Sequence, residues 1–128
     1  MSLRTPLSRV LGMGSAKQGV HHWWVQRLTS VALVPLTVWF VVSLLTLPSL
    51  DHATVAAWER HGSTALLLVL LVLVGTWHSQ LGVRVVVEDY VPSPGARTVT
   101  LALIAFAHAL LAAAGTFAVL KVALGVAP

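Results

Sequence analysis

In the stretch "WHSQLGVRVVVEDY", Trp77 to Tyr90, a histidine follows one of the most apolar runs of the chain and two acids and a phenol close it. An imidazole so placed can serve as a neutral metal ligand, a proton carrier or a hydrogen-bonding partner for a neighbouring helix. A phenol at the membrane edge can donate to an oxygen on which negative charge develops. Turning at about 100° per residue, a helix through this stretch puts Gly75, His78, Gly82, Val85 and Asp89 within a wedge of roughly 80°. Bare backbone at the two glycines would let another helix or a flat macrocycle approach while the ring points into the gap. Spacing alone leaves a packing contact and a ligand role equally open.

As a ligand, neutral imidazole suits haem iron, with its other ring nitrogen free to donate to a nearby acceptor. A second histidine, His108 in "AFAHALLAA", lies at a similar depth in the last apolar run. Two imidazoles on one iron hold their backbones roughly 12 Å apart, whereas neighbouring small-residue helices pack at about 8–10 Å. His108 is therefore expected to be a polar contact between helices, and a second axial ligand would come from another subunit. Tyr90 is also readable as an interfacial belt tyrosine, Asp89 as a solvated helix-end acid and Arg27 as an inside-positive anchor. Arg84 turns away from the His78 face and is expected to pair with Glu88 four residues on.

The elements that hold these side chains are membrane spans. With 57% hydrophobic and 9% charged residues and a mean hydropathy of +0.87, the 128-residue chain lies outside the range of ordinary soluble domains. Three stretches can cross about 30 Å of hydrocarbon as helices of roughly 20 residues: 28–47, 65–87 and 99–121. The expected fold is an all-α membrane protein with three transmembrane helices. A leader covers 1–26, and the connections cover 48–64 and 88–98. His78 then lies on the order of 15 Å from Glu88 and about 20 Å from Ala65, near mid-membrane. Arg4, Arg9, Lys17 and Arg27 precede the first span and Arg84 and Arg97 flank the second connection, while only Arg60 and Lys121 fall on the other side. The N-terminus is thus expected in the cytoplasm and the C-terminus in the periplasm.

Scattered basic residues explain a pI near 10.8 as orientation in a bilayer, and nucleic-acid binding is excluded. No cysteine is present, so disulfides, thiolate zinc sites and cysteine-ligated clusters cannot be built within the chain. The first eighteen residues have arginines, serines and no acid, as in organelle transit peptides, but a short cytoplasmic lead-in is the simpler reading. Pro35 removes one donor inside the first span. Asp51 offers an N-cap to a short interfacial helix around Ala53 to Arg60, with Trp58 at headgroup level, and Trp23 and Trp24 in "HHWW" mark an interface.

The pattern His78, Gly82, Asp89, Tyr90, or H-x3-G-x6-D-Y, together with "GSAKQGVHHWWVQRLTSVALVPLT", resembles the small hydrophobic membrane anchor subunit of succinate dehydrogenase (respiratory complex II) over Gly14 to about Val122. That resemblance implies an anchor, not itself catalytic, holding the flavoprotein and iron–sulfur subunits to the bacterial inner membrane, or to the mitochondrial one. It implies that His78 is one axial ligand to haem b, the other coming from the larger cytochrome b anchor subunit. By the same resemblance Tyr90 bonds ubiquinone with Asp89 beside it, Arg27 lies near the haem propionates and the quinone, and His21 matches a leader histidine. The chain has no Gly-rich dinucleotide motif, so flavin and clusters would belong to the partners. Two alternatives remain: an anchor of the fumarate reductase type, and a small transporter or channel subunit in which His78 and His108 relay protons.

Overall fold

The computed structural model describes residues 17–125, so the first sixteen residues of the expected leader lie outside the described residues. Four helices follow in order: α1 (Lys17–Thr46), α2 (His52–Glu59), α3 (Gly62–Tyr90) and α4 (Pro94–Ala123). Within them Val20–Thr46, Gly62–Tyr90 and Pro94–Ala123 are long and apolar enough to cross a membrane. α1 continues unbroken through Pro35.

The helices outrun the apolar stretches that announce them. Lys17 to Gln26, expected as leader, is already α1, because polar side chains there do not interrupt backbone hydrogen bonding. The connection expected over 88–98 shrinks to Val91–Ser93. Two local effects account for this. Arg84 Nε and Glu88 Oε1 pair at 2.8 Å along the last turns of α3, and Pro94, lacking an N–H that the first turn would leave unpaired, opens α4 directly after Ser93. Hydropathy marks where hydrocarbon ends, not where helix ends.

The short helix expected around Ala53 to Arg60 forms as α2. Asp51 caps α2 by accepting from the backbone N–H of Thr54 at 3.0 Å. The Ser49 hydroxyl, then the Thr54 N–H and hydroxyl, hold its carboxyl well below the usual carboxylate range. Trp58 on α2 stacks on Trp39 of α1, with centroids 6.0 Å apart, and lies 6.4 Å from Phe40. These rings pack against Ala65, Leu68 and Val119, the buried cluster at this end.

α3 is the central element. It packs against both α1 and α4, while no Cα atom of α1 comes within 8 Å of one on α4 among the described residues. At Gly115 on α4 an added Cβ would lie 2.8 Å from Val72 Cγ1 of α3. A glycine here leaves room for the Val72 side chain.

Candidate functional site

His78 is half-buried and its ring faces α1. Nδ1 lies 2.9 Å from the Thr29 hydroxyl, and Nε2 lies 3.3 Å from the Gln26 amide nitrogen. Thr29 and Gln26 are three residues apart on α1 and so share one side of it. The conformation shown is thus a contact between helices through both ring nitrogens, one of the two roles that spacing left open.

Hydrogen-bond bookkeeping favours one tautomer. The Thr29 hydroxyl has one proton, and the carbonyl oxygens of Val25 and Gln26 lie 2.9 and 3.0 Å from it. Those oxygens can only accept, so the hydroxyl donates back along α1 and accepts from His78 Nδ1–H. Nε2 then carries the lone pair and accepts from the Gln26 amide. A ligating histidine has the same assignment, with one nitrogen held by a protein acceptor and the other presenting electrons.

This donor set fits a haem iron in one respect and requires a movement in another. Gln26 covers Nε2, but its own Oε1 is buried without a partner, so its present place is poorly satisfied. An added Cβ at Gly82 would lie 3.7 Å from Gln26 Nε2, and one at Gly75 would lie 3.9 Å from Leu33 Cδ2. Both glycines therefore face α1 at ordinary contact distance. The notch beside His78 is filled by an unbranched side chain of the same chain, and withdrawing Gln26 would open it. Among the described residues no group of three or more His, Cys, Asp and Glu side chains converges.

His108 is directed elsewhere. Its Nδ1 donates to the Ile104 carbonyl at 2.8 Å, and its Nε2 accepts from the Ser79 hydroxyl at 3.2 Å. It ties α4 to α3, and since His78 is bonded to α1 the two imidazoles do not converge.

The remaining candidates are not brought together among the described residues. Tyr90 is the last residue of that helix and 80% exposed. It stands twelve residues beyond His78, about 18 Å along the axis. Asp89 and His21 are also exposed. Arg27 lies with its guanidinium 5.3 Å from the Trp23 ring, and Trp23 meets Trp24 edge to face at 5.0 Å. Among the described residues no hydrogen bond or ion pair joins Tyr90 or Asp89 to Arg27 or His21. Nearby, His22 Nε2 is buried without a partner. Gln26, Thr29 and Gly115 went unnoticed in the sequence. Only the pairing of helices reveals them, although the polar "VQRLTS" at the start of an apolar run was a usable signal.

Residues 1–117 match the family described as succinate dehydrogenase/fumarate reductase transmembrane subunit. The chain is 30% identical to the succinate dehydrogenase hydrophobic membrane anchor subunit of Paracoccus denitrificans over 94% of its own length and 93% of the relative's. It is 38% identical to the protein of the same name from Rickettsia conorii over 61% of its own length, spanning 63% of that relative, and 34% identical to the Rickettsia bellii protein over 69% and 70%.

Proposed function

Since the chain belongs to the succinate dehydrogenase/fumarate reductase transmembrane subunit family, we propose that it is the small membrane anchor of a bacterial succinate:quinone oxidoreductase. In this reading it tethers the flavoprotein and iron–sulfur subunits to the inner membrane beside a larger cytochrome b anchor subunit. The N-terminus and the α3–α4 turn face the cytoplasm, as the arginines around them favour. The observation that carries the reading is the similarity to the Paracoccus anchor subunit along nearly the whole of both chains.

His78 would hold the iron of haem b through Nε2, with Gln26 withdrawn from that nitrogen. The chemistry supplied by haem, when bound, would be one-electron transfer. At the membrane edge Tyr90 donates its phenolic proton in a hydrogen bond to a ubiquinone carbonyl oxygen, stabilising the charge that reduction places there. Asp89 passes protons from water to that oxygen or orients a cation beside it. Arg27 has Trp23 against the face of its guanidinium, and its N–H groups, without a partner among the described residues, bond a carboxylate or a quinone oxygen. The exposure of Tyr90 supports this role, since an occupant or a partner surface can reach it. The proton-relay alternative draws no support from two histidines that face different neighbours.

The test is the optical spectrum of the purified complex carrying His78→Ala, with wild type alongside. Loss of the bis-histidine haem b signal, with the soluble subunits still copurifying, is the expected result. An unaltered signal removes the ligand assignment, and failure of any soluble subunit to copurify with the wild-type chain removes the anchor reading.

A further inference from the structure

We propose that Thr29 is the positioning residue for His78, fixing the ring as its Nδ1–H tautomer so that Nε2 alone is available to iron, with Gln26 as a displaceable cover over that nitrogen. This rests on the reading of His78 as an axial ligand. Thr29 is 7% exposed and its hydroxyl sits between two acceptors of its own helix and the imidazole. Because its single proton is committed to the backbone, the hydroxyl has only lone pairs to offer His78. An imidazole donating from Nδ1 is a stronger electron donor at Nε2 and cannot rotate about its Cβ–Cγ bond without losing the contact.

Gln26 differs from Thr29 in what it would lose by moving. Its contact to Nε2 is the longer of the two, its Oε1 has no partner, and it lies in the notch left by Gly82. Withdrawing it forfeits one long bond and relieves an unpaired buried oxygen. Withdrawing Thr29 would strand the Nδ1–H in a hydrocarbon setting. α1 therefore supplies a fixed acceptor on one side of the ring and a removable donor on the other.

The experiment compares Thr29→Val, which keeps shape and removes the acceptor, with Thr29→Ser, which restores it, in the purified complex. Haem transfer to an excess of a haem-scavenging protein should be about 10- to 100-fold faster in Thr29→Val, the scale of losing a partner behind a metal ligand. The haem reduction potential should rise, because a weaker donor favours ferric iron less, and Thr29→Ser should return both readings towards wild type. Wild-type loss rate and potential in Thr29→Val, with the haem signal abolished by His78→Ala, would overturn the positioning role and leave the ligand reading standing. A haem signal surviving His78→Ala removes both. Should Thr29→Val not assemble, nitrogen-15 resonances of His78 in the full-length wild-type chain in lipid bilayers decide: Nδ1 protonated and Nε2 bare is expected, and the opposite tautomer overturns the proposal.

Discussion

Tyr90 and His78 are completed by their surroundings to opposite degrees. The ring of His78 has both nitrogens engaged within the chain, whereas the Tyr90 phenol, at the exposed end of α3, waits for something outside it. A donor to a developing oxyanion should matter to quinone reduction and not to the flavin chemistry of a partner. Tyr90→Phe in the assembled complex is expected to lower succinate:quinone turnover by roughly tenfold, the scale of one lost hydrogen bond, with succinate oxidation by an artificial dye unchanged. Equal loss of both rates would make Tyr90 a residue of assembly instead. At this scale the sequence showed His78 and Tyr90 well, because a ring or phenol among aliphatics contrasts with its neighbours. It hid Thr29 and Gln26, since a threonine making backward bonds to its own helix is common and only the facing of α1 on α3 gives this one a task.

Among the elements, the glycines divide according to what faces them. Gly75 and Gly82, on the His78 side of α3, have room for a methyl group at 3.9 and 3.7 Å, while Gly115 on α4 would press one to 2.8 Å against the stiff Val72 side chain. Gly75→Ala and Gly82→Ala should leave the thermal midpoint of the purified chain without haem nearly unchanged. Gly115→Ala should lower stability by about 1–3 kcal/mol, the range for overpacking a tight contact. Equal effects at all three would mean that Gly115 is no tighter than the other two. The short helix α2 adds a dependence on pH. Burial pushes the Glu59 carboxyl above its ordinary value of 4.5. A group raised in the folded state holds its proton more tightly there, so its contribution is fully present below the unfolded value and is lost as pH rises through the folded one. Thermal stability of the purified chain should therefore fall across the window above pH 4.5, and Glu59→Gln should flatten that slope. Hydropathy made the three spans legible, and the Asp51 cap did so for α2. The short α3–α4 turn was not, because its length depends on an ion pair and a proline start.

For the molecule as a whole, the Cα atoms of α1 and α4 stay more than 8 Å apart among the described residues, which leaves α3 between them as the shared support. Few side chains are buried in such a layer: Ala65, Leu68, Val87 and Val119 are the buried apolar residues described, and long faces with Val31, Leu45, Phe106 and Leu110 remain exposed. Lipid and neighbouring subunits must cover those faces, since a helix apolar all round is stable only when surrounded. The sequence announced the number of helices but not their order in space, because small residues occur on several faces and hydrophobic periodicity is weak when every side meets hydrocarbon or protein. A chain without cysteine allows the order to be measured directly. Val72 Cβ lies 3.8 Å from where a Cβ at Gly115 would stand, within the usual span of a disulfide. Val72→Cys with Gly115→Cys should cross-link within one chain on mild oxidation in membranes, and reduction should reverse it. Leu33→Cys with Ala112→Cys, on α1 and α4, should not, because no pair of Cα atoms on those helices comes within 8 Å among the described residues, beyond the reach of that bond. An intramolecular link from the second pair would mean that α1 and α4 meet and that the chain closes into a bundle. His78 would then be enclosed by its own subunit, with no open flank through which a partner could bring the second ligand.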